Sequence, residues 1–258
     1  MRDSLRPLRH HLALRAVLAG AVPGEVYVDD PARPSVLLAW TQQRLFLAGR
    51  PARVGLERVI AGSIGPRMAA RGRPYLALHF APEAWAVEIE TTLAALSPQP
   101  AQRRYLERPA AELASARPLP KGFALRPVDA ELLADTALQN RAQLMEEMCS
   151  ERPSVDDFLA HSFGVCALHG SELASWCLSE YNHGGACEVG IETLPTFRRL
   201  GLGTALATAL AAQAAHAGLT RLGWHCYAAN EASVRTALRA GFQPVADYPA
   251  YVLHCGAS

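Results

Sequence analysis

A chain of 258 residues, half of them hydrophobic and 19% charged, can bury one large core or two small ones, which excludes wholesale disorder. The net charge is +1, yet residues 1–118 hold 16 arginines, no lysine and 10 acids, while residues 119–258 hold 9 basic and 14 acidic residues. The asymmetry fits either an anionic partner for the first half and a cationic substrate for the second, or compositional bias between two docked domains.

In chain order, Leu5 to Leu18 reads as a helix ending near Gly20. Glu25–Val28 and Ser35–Trp40 read as strands split by the turn Asp29-Asp30-Pro31, and Arg44–Leu47 as another short strand. Tyr75–Phe80 is apolar on both faces, hence a central strand, and Pro82 suits the start of a helix through Leu96. Five prolines between 98 and 121 predict a linker that includes one more strand or short helix.

The second half opens with a strand at Phe123–Arg126 and a helix from Ala130 to about Met148. Ser154, with Asp157 three residues on, predicts a capped helix. Strands Phe163–Leu168 and Leu173–Tyr181 join through the turn His169-Gly170-Ser171, and a third follows at 187–194, giving a meander. A helix over 201–217 stops at Gly218, a strand covers Arg221–Tyr227, a helix over Ala232–Ala240 stops at Gly241, and Val252–Cys255 is the last strand.

The six cysteines, Cys149, Cys166, Cys177, Cys187, Cys226 and Cys255, all fall in the second half, and none forms a C-x-x-C or a Cys/His pair of zinc spacing. No metal site is expected, and the setting expected is a reduced, cytoplasmic one. The N-terminus lacks a signal-peptide apolar core, and polar residues interrupt the one long apolar run, so no membrane span is expected.

The richest segment couples the strand at 187–194 to the helix at 201–217 through Arg198-Arg199-Leu200-Gly201-Leu202-Gly203. Strand, glycine loop and helix start make an anion-binding device, because the first N–H groups of a helix lack internal partners and the dipole is positive there. Gly201 and Gly203 allow close backbone approach, and Arg198 and Arg199 add charge suited to phosphate. A phosphate-bearing cofactor is expected.

With Asn230 after the next strand and Ala240-Gly241-Phe242 ending the next helix, residues 122–256 resemble the GNAT superfamily of N-acetyltransferases, whose cofactor signature is Q/R-x-x-G-x-G/A after a strand. Trp224, Cys226, Asn230 and Ser233, and the pair Ser179-Glu180, are similar to the subgroup that includes the zwittermicin A resistance protein. The resemblance implies an α+β (mixed α/β) fold. Residues 119–258 would be a catalytic domain with a central mixed, mostly antiparallel sheet flanked by helices, and residues 1–118 a smaller, degenerate acetyltransferase-like α/β domain. It implies acetyl-CoA (coenzyme A) as cofactor and acetyl transfer to a primary amine of a small molecule. Partners expected are that amine, no nucleic acid and no membrane, with a homodimer left open. Two other readings are a non-catalytic acyl-CoA-binding sensor and a nucleic-acid module; the basic half shows no aromatic-basic interleaving.

In the implied site, the backbone of Arg199, Leu200, Gly201, Leu202, Gly203 and Thr204 cradles a pyrophosphate, with Arg198 beside it. The main chain of Ile191 and Thr193 contacts the pantetheine arm where the strand splays from its neighbour at about Tyr227. Asn230 and Ser233 complete the cofactor set, Asn230 serving equally well as a helix N-cap. Proton removal from an amine calls for a carboxylate. Glu180 is the first choice, with Glu188 and Glu192 nearby and His225 a further candidate. By alternation Glu188 and Glu192 share one strand face, and Ile191 and Thr193 the other. The family's proton-donating tyrosine is matched by Ala237, which leaves Tyr227 or water to protonate the thiolate. Glu146, Glu147 and Glu151 are candidate amine-binding charges.

Overall fold

The computed structural model describes residues 2–51, 55–111 and 118–255. The strands are β1 Glu25–Val28, β2 Val36–Thr41, β3 Arg44–Gly49, β4 Tyr75–Ala81, β5 Gln99–Pro109, β6 Phe123–Pro127, β7 Gly164–His169, β8 Glu172–His183, β9 Ala186–Thr193, β10 Arg221–Tyr227 and β11 Gln243–His254. The helices are α1 Arg2–Leu5, α2 Leu12–Leu18, α3 Leu56–Val59, α4 Gly65–Ala70, α5 Trp85–Thr92, α6 Ala130–Ala134, α7 Arg141–Met148, α8 Val155–His161, α9 Leu202–His216 and α10 Glu231–Arg239. No helix among the described residues is long and apolar enough to cross a membrane.

The chain forms two compact units, one of Met1–Arg103 with Asp247–Ser258 and one of Arg104–Ala246. Their extents differ from the division at 118/119. The stretch read as a linker holds β5, an eleven-residue strand, and the unit boundary falls inside it. Pro100 and Pro109 sit at its two ends, where a missing N–H disturbs the ladder least. Residues 112–117 of that linker lie outside the described residues.

In the first unit the strands run β1-β2-β3-β4-β11. β1, β2 and β3 form an antiparallel meander, β4 joins β3 in parallel, and β11 closes on β4 antiparallel. The parallel step needs a crossover, supplied by α3, a π-helical turn at Ile60–Ile64, and α4. Gly62, Gly65 and Pro66 hide this helical stretch in the sequence. Its apolar residues recur every four positions, Leu56, Ile60, Ile64 and Met68, and are buried against the sheet. The single helix expected over 5–18 is broken instead by a 3-10 turn at Arg6–Leu8 that contains Pro7.

In the second unit the order is β5-β10-β9-β8-β7-β6. β6 to β9 are an antiparallel meander, and β10 adds to β9 in parallel across α9. The helix expected over 130–148 is two helices. Asp135 accepts a hydrogen bond from Ala137 N, and Asn140 takes a left-handed conformation, which ends one helix and starts the next. α9 lays Leu202, Leu206, Leu210 and its small alanines onto the sheet. Ser154 caps α8 through Asp157 N at 3.1 Å, as its spacing predicts. All six cysteines are free. Burial pushes the thiols of Cys166 and Cys187 up to about 12, which keeps them protonated and inert.

Candidate functional site

β9 ends at Thr193 and passes through a 3-10 turn at Pro195–Phe197 into the arginine-glycine loop. Arg198 is extended, with its Nε donating to Thr193 O at 3.0 Å. Arg199 and Gly201 both take positive φ, +67° and +84°, folding the backbone into a concave turn. α9 then starts at Leu202 with no side chain capping it. Ala205 N is the first to bond back, to Gly201 O at 3.2 Å, so the N–H groups of Leu202, Gly203 and Thr204 have no helical carbonyl to meet.

This helix start opens into a cavity of about 570 Å³. Of the residues expected to hold a cofactor, Ile191, Thr193, Arg198, Arg199, Gly201, Leu202, Gly203, Thr204, Asn230 and Ser233 all line it. Leu200 does not; its side chain is exposed. A methyl at Gly203 would lie 3.2 Å from Thr236 Cγ2, 3.6 Å from Ile191 Cδ1 and 3.8 Å from Thr193 Oγ1, among other lining residues. The bare glycine therefore leaves room that any side chain would take. An uncapped helix N-terminus, a glycine cradle and several arginines fit an anionic phosphate ligand. Asn230 is the N-cap of α10, accepting from Ser233 N at 3.1 Å, so it carries that structural role while facing the cavity. Trp224 Nε1 donates to Ser233 Oγ at 3.0 Å and ties β10 to α10. Sequence reasoning missed Arg235, Thr236 and Arg239, which α10 contributes to the wall. Their spacing on one helix face was visible; which face fronts the cavity was not.

Among the described residues, β9 and β10 pair only at Ala186↔Arg221, Cys187↔Leu222 and Glu188↔Gly223. Beyond that point the β9 edge facing β10 has no strand partner among the described residues, so the splay begins four residues before Tyr227, earlier than expected. On its other edge β9 stays paired with β8 to Ser175↔Thr193. The face alternation holds. Ile191 and Thr193 point toward Gly203 on α9, and Ser175 Oγ shares a 2.8 Å hydrogen bond with Thr193 Oγ1.

The opposite face carries the carboxylates. Glu180 and Glu188 are register partners, and the Glu180 carboxylate lies over Gly190, where a methyl would overlap its Oε1. A glycine inside a strand is a signal for such close approach, and Gly190 is one. Glu188 is buried, with its Oε1 3.4 Å from His225 Nε2, also buried. Tyr105 stacks on His225, centroids 4.6 Å apart, and donates to Glu107 Oε2 at 2.8 Å. Burial first, then the Glu107 hydrogen bond and charge, push its phenol well up. Glu192 is exposed and lines the cavity. Neither Glu180 nor Glu188 lines it, nor does Tyr227, which is 44% exposed at the end of β10. Ala237 is fully buried in the core. Glu151 accepts a hydrogen bond from Tyr181, Glu146 is exposed, and Glu147 is half-buried.

A family model described as GNAT acetyltransferase matches residues 7–251. The uncharacterized N-acetyltransferase YdfB of Bacillus subtilis strain 168 is 26% identical over 237 residues, covering 92% of this chain and 88% of its own. The crystal structure of a GCN5-related N-acetyltransferase-like protein from Streptococcus suis 89/1591 superposes with a TM-score of 0.73 at 22% identity, covering 98% of this chain and all of that one. A tandem GNAT protein from the clavulanic acid biosynthesis pathway has a TM-score of 0.53 at 13% identity, covering 96% of this chain and 88% of that one. These likenesses of structure are likenesses of fold.

Proposed function

The chain belongs to the GNAT acetyltransferase family, and we propose that this N-acetyltransferase moves an acetyl group from acetyl-CoA to a primary amine of a small molecule by direct attack on the thioester. The observation that carries the donor half is the cavity where β9 parts from β10, with the uncapped start of α9 at its wall. Bound acetyl-CoA supplies the activated acetyl group. The N–H groups of Leu202, Gly203 and Thr204 hold its diphosphate, assisted by Arg198 and Arg199. The open edge of β9 past Glu188 offers main-chain donors and acceptors to the extended pantetheine arm, as a sheet edge does to an added strand. A main-chain N–H of that edge, at Ile191 or Thr193, polarises the carbonyl.

The amine arrives protonated, with an ordinary pKa near 10, and must lose a proton before attack. Glu180 takes it, directly or through water, from its seat over Gly190. Glu188 holds His225 and adds negative potential beside Glu180. The acid-rich face of β8 and β9 supports a cationic acceptor. With alanine at 237, the thiolate leaves unaided or takes its proton from water or Tyr227, since a thiol pKa near 8.5 makes it a tolerable leaving group. The first unit acts as a catalytically silent acetyltransferase-like domain; the tandem architecture named for the clavulanic acid pathway protein supports that reading. The run Trp224, Cys226, Asn230, Ser233 supports a place beside the zwittermicin A resistance protein.

Calorimetry with acetyl-CoA, followed by an amine-library screen that measures free thiol, tests the proposal. Expected are micromolar binding and amine-dependent thiol release. Absence of binding at high micromolar acetyl-CoA would overturn the donor, and thiol release indifferent to added amines would overturn the acceptor.

A further inference from the structure

The cavity holds more positive charge than a diphosphate needs. Four arginines line it, Arg198, Arg199, Arg235 and Arg239, against one acid, Glu192. The first two flank the start of α9, where a diphosphate carrying two negative charges is matched by the helix N–H groups with Arg198 and Arg199. The second two belong to a different wall. Ala232, Arg235, Thr236 and Arg239 stand at i, i+3, i+4 and i+7 on α10, so they form one continuous stripe, and every member lines the cavity. Thr236 is the member that comes within 3.2 Å of the Gly203 methyl position, which fixes the stripe against the start of α9. Arg239 lies about one turn beyond that contact. Arg235 is partly engaged, its Nη1 donating to Glu231 Oε2 at 2.8 Å. Arg239 has no hydrogen-bond or ion-pair partner among the described residues.

We propose that the α10 stripe is a second anion subsite, in which Arg239, with Arg235, takes a phosphomonoester at the nucleotide end of the acyl donor. The inference rests on the acetyl-CoA reading and deepens it. The 3′-phosphate of coenzyme A is such a dianion, and a pantetheine arm borne by a carrier protein has none. The stripe therefore makes the enzyme select the free, 3′-phosphorylated coenzyme. The plain alternative gives Arg239 only a helix-end role beside the last carbonyls of α10, and Arg235 only its pair with Glu231; neither role discriminates between donors.

Calorimetry with coenzyme A and 3′-dephospho-coenzyme A, on the full chain and on Arg239→Gln and Arg235→Gln, separates the two. The unaltered protein is expected to bind coenzyme A about ten- to a hundredfold more tightly than the dephospho form, the range of a charge-assisted contact to phosphate. Arg239→Gln should bring that ratio to within about threefold by weakening coenzyme A alone, and Arg235→Gln should do less because Glu231 already holds it. Unchanged affinity for the dephospho form shows that the variant is folded. A ratio near one in the unaltered protein, or equal weakening of both ligands in Arg239→Gln, would overturn the subsite and leave the acetyl-CoA reading standing. Failure of the unaltered protein to bind either ligand would overturn both.

Discussion

In the first unit β3 and β4 stay paired from Arg44↔Ala77 to Ala48↔Ala81, almost the full length of β3. In the second, β9 and β10 part after three residue pairs. Both are parallel strands joined by a helical crossover, so the same supersecondary unit occurs once closed and once open. The difference lies in what sits at the carboxyl end of the first strand. In the first unit the buried indole of Trp85, from the helix after β4, donates to Gly49 O at 3.0 Å. Gly49 is also pressed against Ser35, with φ at +110° and no room for a Cβ. In the second unit the tryptophan sits on β10 itself and bonds Ser233 of α10, which leaves the end of β9 clear. A crossover keeps a cavity when no core side chain fills the gap that its strands leave.

Four experiments would break or sharpen that contrast. Glu180→Gln has the largest expected effect, a fall in kcat of about 10² to 10⁴ with coenzyme A affinity unchanged, since general-base removal leaves donor binding alone. Retained kcat would move the base to Glu188 or to water. Trp85→Ala should destabilise the protein by about 3–5 kcal/mol, because it empties a packed site and strands the Gly49 carbonyl. It should still bind one coenzyme A per chain by calorimetry; a second equivalent would mean that the closed crossover is a latent site and the contrast is wrong. Gly203→Val crowds Thr236 and Ile191 at the start of α9 and should weaken coenzyme A about a hundredfold by calorimetry; unchanged affinity would show that this glycine does not border the donor.

The smallest effect is expected at Asp29. Hydrogen bonds from the Ser35 hydroxyl and from Val36 N and Ser35 N hold its carboxyl well below the ordinary carboxylate range. Its contribution is therefore complete above the unfolded pKa of about 3.9 and is lost as pH falls further. Asp29→Ala should lower the melting temperature by a few degrees at neutral pH, and that difference from the unaltered protein should shrink as pH falls below about 4. An identical acid decline in both proteins would show that this turn does not couple to folding of the first unit.

The arginine-glycine loop was legible because its information is local. Arg198 to Gly203 needs only a strand before it, a helix after it and two residues without a Cβ. Asn230 was legible for the same reason, as a cap. Glu180 was legible as a candidate, but its seat over Gly190 depends on β8 and β9 pairing in one register. The link between Glu188, His225 and Tyr105 joins three strands far apart in sequence. The helical stretch at 56–70 was hidden by Gly62, Gly65 and Pro66, whose poor helix propensity is outweighed by burial of Leu56, Ile60, Ile64 and Met68. The division into units at Arg103/Arg104 was not legible, because prolines at the ends of β5 look in sequence like those of a linker.

The sequence by itself determined the order of elements in the second half, the glycine loop and the family to which these belong. Periodicity, caps and turn residues act over a few positions and can be read one after another. The tertiary structure decided where β9 and β10 part, which face of α10 looks into the cavity, and that one crossover is closed while the other is open. Those outcomes depend on which side chains compete for the same volume, and volume is shared by residues that meet only when the chain has folded.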